Sequence, residues 1–536
     1  MAMDEEYDVV AVGSGAGGLT AAVTASAKGG RALVLEKDDM LGGVTALSGG
    51  QVWIGASHVG RAAGIKDTLA ETEAYLTYLS DGFAQPELRK VYVSRGPEVL
   101  RFLCDEIGIP FQLIDEWPDY YYPDAPGSKG AGRFLETAPF TAADLGEWEA
   151  LCVRGDYVVT SHDRSLAGGS IESLGQAARL HAERGELCAG AALSAYLIRA
   201  ALAHGVEFRV ATPAVRLLTK GDRVIGVEAK RGGETLRIGA RRGVVLATGA
   251  YDWNPEHVQT YEQMTGLVSA TPPTIEGDHI VMASELGATV VSARPSAANT
   301  VLYGFSVPGE PEGRESHKLV VPGWPHSIVV NSRGERFADD SFLSDVAIGM
   351  GRYFGVGRGF ANSPAWLIFD QEYRDKYPLG PYYPDDQLPR GLVTVRDSPT
   401  DLAEAVGMDP RGLEATITMF NEYCATGVDA EFGRGSRKYS QMMTGDHSLR
   451  NPNLGPISRG PYYAMDFVRI GVGIPTAGLK IDGEAQVIGV RGNVINGLYA
   501  AGNAAAHTDI GAGYTSGIAN ARGLIYGYLA AISSMQ

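Results

Sequence analysis

The chain has 536 residues and a formal net charge of −17 at neutral pH, from 63 acidic and 46 basic side chains. That balance disfavours a broad nucleic-acid or anionic-membrane surface, and the length suits three or four average domains or one large α/β unit carrying an insertion. Glycine, at 70 residues, is about twice ordinary usage, while Gly and Pro together stay below the range that suggests disorder, so the glycines belong in tight turns.

The first strand, Tyr7 to Val12, is short, apolar and β-branched, and Gly13-Ser-Gly-Ala-Gly-Gly18 follows at once. A helical stretch from Leu19 to Lys28 and a strand from Arg31 to Leu35 complete a βαβ unit. Gly13, Gly15 and Gly18 take the three positions of a dinucleotide fingerprint: the tight turn, the close approach to pyrophosphate, and the contact of helix with strand. The helix N-terminus then faces the phosphates. Glu36 closes the second strand, where a carboxylate accepts ribose hydroxyls and repels a 2′-phosphate. NAD enzymes normally continue from here into ordinary βα units. This chain instead adds a second glycine-rich loop, Leu41 to Gly50, which implies a longer cofactor, FAD.

Further along, Ala192 to His204 reads as a helix, and Val206 to Val210, Ala214 to Leu218 and Val224 to Ala229 read as strands. Apolar strands ending in glycine recur at Gly243 to Gly249 and at Gly497 to Gly502. Pieces of one domain are thus separated by hundreds of residues. From about Arg294 the chain becomes rich in proline and aromatic residues, with one clear helix at Gly412 to Tyr423 that carries Leu413, Ile417 and Phe420 on one face. The expected fold is α/β, with a discontinuous Rossmann-like nucleotide domain (1–293 and 456–536) and an inserted domain (294–455).

Cys104, Cys152, Cys188 and Cys424 form no C-x-x-C pair and fit neither a disulfide framework nor a zinc knuckle. No apolar run approaches the roughly 20 residues needed to cross a bilayer. The acidic start Met1 to Glu6 leaves no room for a signal peptide. These features lead us to expect a soluble, cytoplasmic protein without nucleic-acid partners or transmembrane segments. The ten histidines show no metal-ligand spacing, and no G-x-S-x-G elbow is present.

Gly13 to Gly18, Gly42 to Gly50, Gly243 to Gly249 and Ala501-Gly-Asn503 together resemble the fumarate reductase and 3-ketosteroid dehydrogenase flavoprotein superfamily, over most of the chain. The resemblance implies non-covalent FAD, with Gly13, Ser14, Gly15, Ala16 and Gly18 at the pyrophosphate and Glu36 and Lys37 near the adenosine ribose. It implies Gly43, Thr45, Ser48, Gly49 and Gly50 on the flavin side, Ala214 at the adenine, and Ala247, Thr248 and Gly249 beside the cofactor. Gly502 and Asn503 would meet the ribityl chain, and Gly517 and Ile518 the pyrimidine edge. The inserted domain would be an α+β catalytic cap over the flavin.

Within that superfamily the fumarate-type cations are missing. Ser344 stands at the position of the Arg proton donor after Gly334-Glu-Arg-Phe337, and Gly473 to Asp482 lacks the expected His. Trp117 to Gly127 resembles the tyrosine-bearing loop of ketosteroid dehydrogenases. Gly513-Tyr-Thr-Ser-Gly517 resembles the 4-dehydrogenase version of the flavin loop, whereas Ala501 to Ala506 and Ile525 to Ala531 resemble 1-dehydrogenases. The catalytic-domain tyrosine of the 1-dehydrogenases is replaced by Phe342 to Ser344.

Desaturating a ketone requires loss of an α-proton and of a hydride from the next carbon. Flavin takes the hydride, and preorganised donors must stabilise the enolate. Tyr514 and Ser516 are assigned as one pair, with the Gly517 N–H as an enolate donor and Tyr120 or Tyr121 as the opposing partner. The expected function is an FAD-dependent dehydrogenase that introduces a double bond α,β to the ketone of a 3-oxosteroid, at position 1 or 4, and passes electrons to an external acceptor. A smaller cyclohexanone-type substrate, an ene-reductase and a non-enzymatic flavin-binding module are the alternatives.

Overall fold

The computed structural model describes residues 3–168, 170–265, 267–294, 301–307 and 316–536. Its main sheet is built on the strand Glu5–Val12, which lies parallel to Ala32–Leu35 on one side and to Glu234–Leu246 on the other. Val494–Ala500 and Glu207–Arg209 extend the parallel order at the two ends. Tyr7, Val9, Val10 and Ala11 are fully buried, because a central parallel strand is covered on both faces and therefore reads as a continuous apolar run. The antiparallel meander Ala214–Lys220, Arg223–Arg231 and Glu234–Leu246 feeds back into this sheet. The strand near residue 208 joins the parallel edge and is not part of the meander.

Helix Ala16–Ala27 starts directly after the glycine turn, and the last helix, Ile518–Met535, packs against it. The predicted helix near 192–204 spans Ala189–Ala203 and is almost wholly buried. A second sheet is antiparallel and centred on the ten-residue strand Tyr462–Gly471. Val301–Val307 and Ala365–Asp370 flank it, with Ser316–Leu319 and Ser327–Asn331 at the edges. Val268–Ser269 and Thr394–Arg396 also pair with the central strand. The sheet thus draws strands from outside 294–455.

Helix Pro410–Thr426 buries Leu413, Ile417 and Phe420, the face expected from their spacing, against Ile328, Val330, Trp366 and Ile368. Two residues from this half of the chain, Phe342 and Tyr439, belong to the hydrophobic core built around the parallel sheet. They mark where the two sheets' layers meet. Among the described residues no helix is long and apolar enough to cross a membrane, and no cluster of three His, Cys, Asp or Glu side chains is placed to hold a metal.

Candidate active site

A groove enclosing about 1320 Å³ of space, part of it open to solvent, runs along the carboxyl ends of the parallel strands. This is where open α/β sheets bind their ligands. Its first wall is the turn Gly13 to Gly17, with Gly13 at φ +107°. A Cβ on Gly13 would sit 2.3 Å from the Ala247 carbonyl oxygen, and one on Gly18 would sit 1.9 Å from that of Gly13. Gly18 therefore lies behind the turn as the helix-to-strand contact, while Gly13, Ser14, Gly15 and Ala16 face the groove.

Glu36 lies at the end of its strand, 8 % exposed, and accepts the Ser14 N–H at 2.9 Å and the Ser14 hydroxyl at 2.6 Å. The same hydroxyl accepts the Gly42 N–H at 2.9 Å. One buried serine thus clasps the two glycine loops together. Burial pushes the Glu36 carboxyl above its ordinary pKa, against the pull of these hydrogen bonds. Thr45 Oγ1 accepts the Ala16 N–H at 3.0 Å, occupying one of the orphan donors at the helix start. Lys37 lines the groove and pairs with Glu276 at 2.5 Å and Asp278 at 3.1 Å.

Gly43, Thr45, Ser48, Gly49, Gly50, Ala214, Ala247, Thr248, Gly249, Gly502, Asn503 and Gly517 all line the same groove. Ile518 is instead fully buried in the first turn of the last helix. Its neighbour Asn520 does line the groove, donating to the Gln51 carbonyl at 3.0 Å and to the Ser48 hydroxyl at 3.2 Å. The loop from Gly502 to Asp509 is held from behind by buried Arg522. Its Nε contacts the Asp509 carboxylate at 2.8 Å and its other nitrogens donate to the carbonyls of Gly502, Ala505 and Ala506.

At the Gln51–Gly517 end the groove meets an aromatic cluster. Tyr514, Ser516 and Gly517 line the groove. The Tyr120 ring stands edge-on to Tyr514 at 6.4 Å and packs on Tyr439 at 4.1 Å and on Phe342 at 5.9 Å between centroids. Tyr121 points the other way, half-buried between Tyr78 and Phe342. Of the two candidates in that loop, Tyr120 is therefore the one that joins Tyr514.

Ser516 does not bond to Tyr514. Its hydroxyl donates to Gln51 Oε1, and its hydroxyl and N–H both act on the Tyr120 phenol. Gln51 in turn donates to the Ser161 hydroxyl at 2.9 Å. Gly517 has φ +84° and its carbonyl accepts the Trp53 N–H at 3.2 Å.

All the phenols of this cluster are held neutral. Burial raises Tyr120 well above its ordinary pKa and Tyr439 adds to the effect, while the Ser516 donors oppose it. Burial likewise raises Tyr439, against a hydrogen bond from Tyr120, and raises Tyr514, against the charge of Arg294. Tyr121 is pushed up to about 12, chiefly by burial.

The loop carrying Tyr120 is fixed by its neighbour Asp119, 1 % exposed. This carboxylate accepts the Trp53 indole N–H at 2.8 Å, the Lys129 N–H at 2.8 Å and Arg133 Nη1 at 2.9 Å. Arg133 forks onward to Asp67 at 2.7 and 2.8 Å. Tyr439, Gln51, Asn520, Arg133 and Arg522 were not singled out from the sequence. The motifs mark loops, and these residues act from a helix start, a loop end or a remote segment.

A glycine turn between strand and helix, a carboxylate closing the next strand and a second glycine loop on one groove define a dinucleotide-binding oxidoreductase. The chain matches the family described as FAD binding domain over residues 8–517. It is 35 % identical over 509 residues to a 4-oxocyclohexanecarboxylate 2-dehydrogenase of Sinomonas cyclohexanicum, covering 93 % of this chain and 87 % of that one. It is 33 % identical over 568 residues to a 3-oxosteroid 1-dehydrogenase of Mycolicibacterium smegmatis, covering 98 % and 97 %. Among solved structures, a 3-ketosteroid Δ1-dehydrogenase of Sterolibacterium denitrificans in complex with 1,4-androstadiene-3,17-dione superposes with a TM-score of 0.89 at 30 % identity, over 99 % of this chain and 100 % of that one. The chain belongs to the FAD binding domain family of flavoproteins, and it is an FAD-dependent dehydrogenase.

Proposed function

We propose that this chain desaturates a six-membered ring ketone, removing a proton from the carbon next to the carbonyl and a hydride from the carbon after it. The observation that carries this reading is the cluster of three phenols, Tyr120 and Tyr439 buried and Tyr514 half-buried, at the end of the groove where Ser516 and Gly517 line it. Two relatives, named for 4-oxocyclohexanecarboxylate and 3-oxosteroids, act on compounds that share a cyclohexanone ring.

The groove fits FAD. Its glycine cradle leaves no room for side chains at Gly13, and its two ends are furnished differently, with an acid and an apolar strand start at Glu36 and Ala214 and hydroxyls and amides at Thr45, Ser48 and Asn503. In this reading Gly13 to Ala16 hold the pyrophosphate, Glu36 the ribose, and Thr45, Ser48 to Gly50, Gly502 and Asn503 the flavin half, while the inserted segment covers it. FAD, when bound, supplies the two-electron acceptor for the hydride.

The chain's own residues handle the proton. Tyr514 is a neutral phenol on the groove wall and donates to the ketone oxygen, with the Gly517 N–H as a second donor where enolate charge develops. Tyr439 and Tyr120 form the proton-accepting pair. Neutral at rest, the pair accepts a proton only in the minor form in which Tyr439 is ionised; there the hydrogen bond from Tyr120 opposes the rise that burial imposes on Tyr439, and the Ser516 N–H meets charge passed to Tyr120. Electrons leave to an external acceptor. The test is oxidation of saturated ring ketones by the FAD-loaded protein with an artificial electron acceptor, read as enone absorbance. Enone should form at a rate proportional to enzyme, and no enone from any ring ketone tried refutes the reading.

A further inference from the structure

Asn503 lines the groove, half-buried, and its neighbours fix which way its amide faces. Its Nδ2 donates to the Gly473 carbonyl at 2.5 Å. A backbone carbonyl only accepts, so the amide nitrogen and oxygen cannot exchange places. Oδ1 is then the atom that lies 2.9 Å from His507 Nε2. An amide oxygen also only accepts, so His507 carries its proton on Nε2.

His507 is 1 % exposed, and its Nδ1 has no hydrogen-bond partner among the described residues. An imidazolium would set a second N–H there facing no acceptor. Burial, with the charges of Arg522 and Arg294, holds the ring neutral. The backbone around it is pinned on both sides. The Ala506 carbonyl accepts Arg522 Nη2 at 2.8 Å, the Ala506 N–H donates to the Leu479 carbonyl at 2.9 Å, and the His507 carbonyl accepts the Gly511 N–H at 2.8 Å. His507 is thus a fixed, uncharged donor behind the groove.

The other end of this short chain of hydrogen bonds reaches a different wall. The Gly473 N–H donates to the Asp252 carboxylate at 3.0 Å, and Val472 and Ile474 on either side of it line the groove. They follow directly on Tyr462–Gly471, the central strand of the second sheet. Asn503 follows Val494–Ala500 of the parallel sheet, so its amide ties the two sheets together at the groove.

We propose that His507 is a positioning residue for the cofactor: its Nε2–H holds the Asn503 amide in the orientation in which Asn503 meets the flavin half of FAD. The proposal rests on the placement of FAD in the groove given above. His507 itself acts only through Asn503.

The experiment titrates FAD into the FAD-free protein and reads the dissociation constant from flavin fluorescence. His507→Phe keeps a ring but no donor and should raise the constant about tenfold. His507→Gln restores an N–H at similar reach and should stay within threefold of wild type. Asn503→Ala should raise the constant at least as much as His507→Phe, and adding His507→Phe to it should change it less than twofold, because nothing is left to position. A residue that merely packs would cost the same in both backgrounds. A constant within twofold of wild type in His507→Phe, or effects that multiply in the double variant, overturns the proposal. So does a constant that Glu36→Gln raises and Asn503→Ala leaves unchanged; if neither variant moves it, the placement of FAD fails as well. The FAD-loaded wild type supplies a check that needs no Phe variant to fold. In its histidine nitrogen-15 spectrum, the ring whose signals are lost in His507→Gln should show a protonated Nε2 and a bare Nδ1 at pH 5.5, where a histidine of ordinary pKa is mostly charged. A charged ring, or a proton on Nδ1, overturns the proposal. None of these readouts uses turnover, so they stand apart from the test of ketone oxidation.

Discussion

Replacing Arg133 by Met removes the guanidinium that ties Asp119, and with it the Tyr120 loop, to Asp67. Arg133 is fully buried and makes hydrogen bonds of 2.7, 2.8 and 2.9 Å to two carboxylates that are themselves 3 % and 1 % exposed at the side chain. Breaking a buried pair by deleting one partner costs about 3–5 kcal/mol, because the remaining charges are left uncompensated. Hydrogen exchange of the peptide spanning residues 115–133 reads this directly: its protected amides should exchange roughly 10²- to 4 × 10³-fold faster at pH 7.5 after correction for intrinsic rates.

The pH dependence has a definite sign. Burial pushes Asp67 up, but the Arg133 hydrogen bonds and charge outweigh it and hold the carboxyl below its ordinary value. The stabilisation is therefore present above the ordinary carboxylate value of about 3.9 and is lost as pH falls through the lower native value. Burial already raises Asp119 against the pull of Arg133; without Arg133 Asp67 rises as well, so protonation favours the folded variant and its deficit should shrink as pH is lowered from 7.5 toward about 5. The variant should keep its FAD and lose turnover. Exchange within threefold of wild type at pH 7.5, or a deficit that does not change with pH, refutes the reasoning.

Tyr439→Phe and Tyr514→Phe should each lower kcat about 10²- to 10⁴-fold with the flavin content unchanged, and activity within tenfold of wild type removes that residue from the proton chemistry. Glu36→Gln weakens the acceptor for both Ser14 donors and should raise the FAD dissociation constant at least about tenfold, measured by recovery of flavin fluorescence. An unchanged constant contradicts the assignment of Glu36 to the ribose. Gly517→Ala places a Cβ 2.8 Å from the Trp53 nitrogen at φ +84° and should lower stability by about 1–3 kcal/mol, seen as a reduced melting temperature of the FAD-loaded protein.

The nucleotide half of the molecule was legible because its chemistry is local in sequence: Gly13, Gly15, Gly18 and Glu36 lie within one βαβ unit, and their spacing alone puts them on one groove. The burial of Leu413, Ile417 and Phe420 was legible for the same reason, since a 3.6-residue period is a local property. Tyr439 was not. It sits on a seven-residue helix, Lys438–Thr444, and its contact with Tyr120 exists only because the second sheet folds back over the first. Nor was the partner of Ser516. The spacing suggested Tyr514, two residues away, but the loop turns the hydroxyl to Gln51, more than four hundred residues earlier in the chain. The expected second domain began near Arg294 on composition, yet its sheet is centred on Tyr462–Gly471, a strand whose membership depends on pairing across the insertion.

The central claim is tested most directly by a single anaerobic turnover. FAD-loaded protein is mixed with a saturated ring ketone, with the flavin absorbance followed and the product analysed by mass. Desaturation predicts one enone formed for each flavin bleached, with Tyr514→Phe nearly silent. No bleaching by any saturated ring ketone, or bleached flavin recoloured only by enones added from outside, would contradict it.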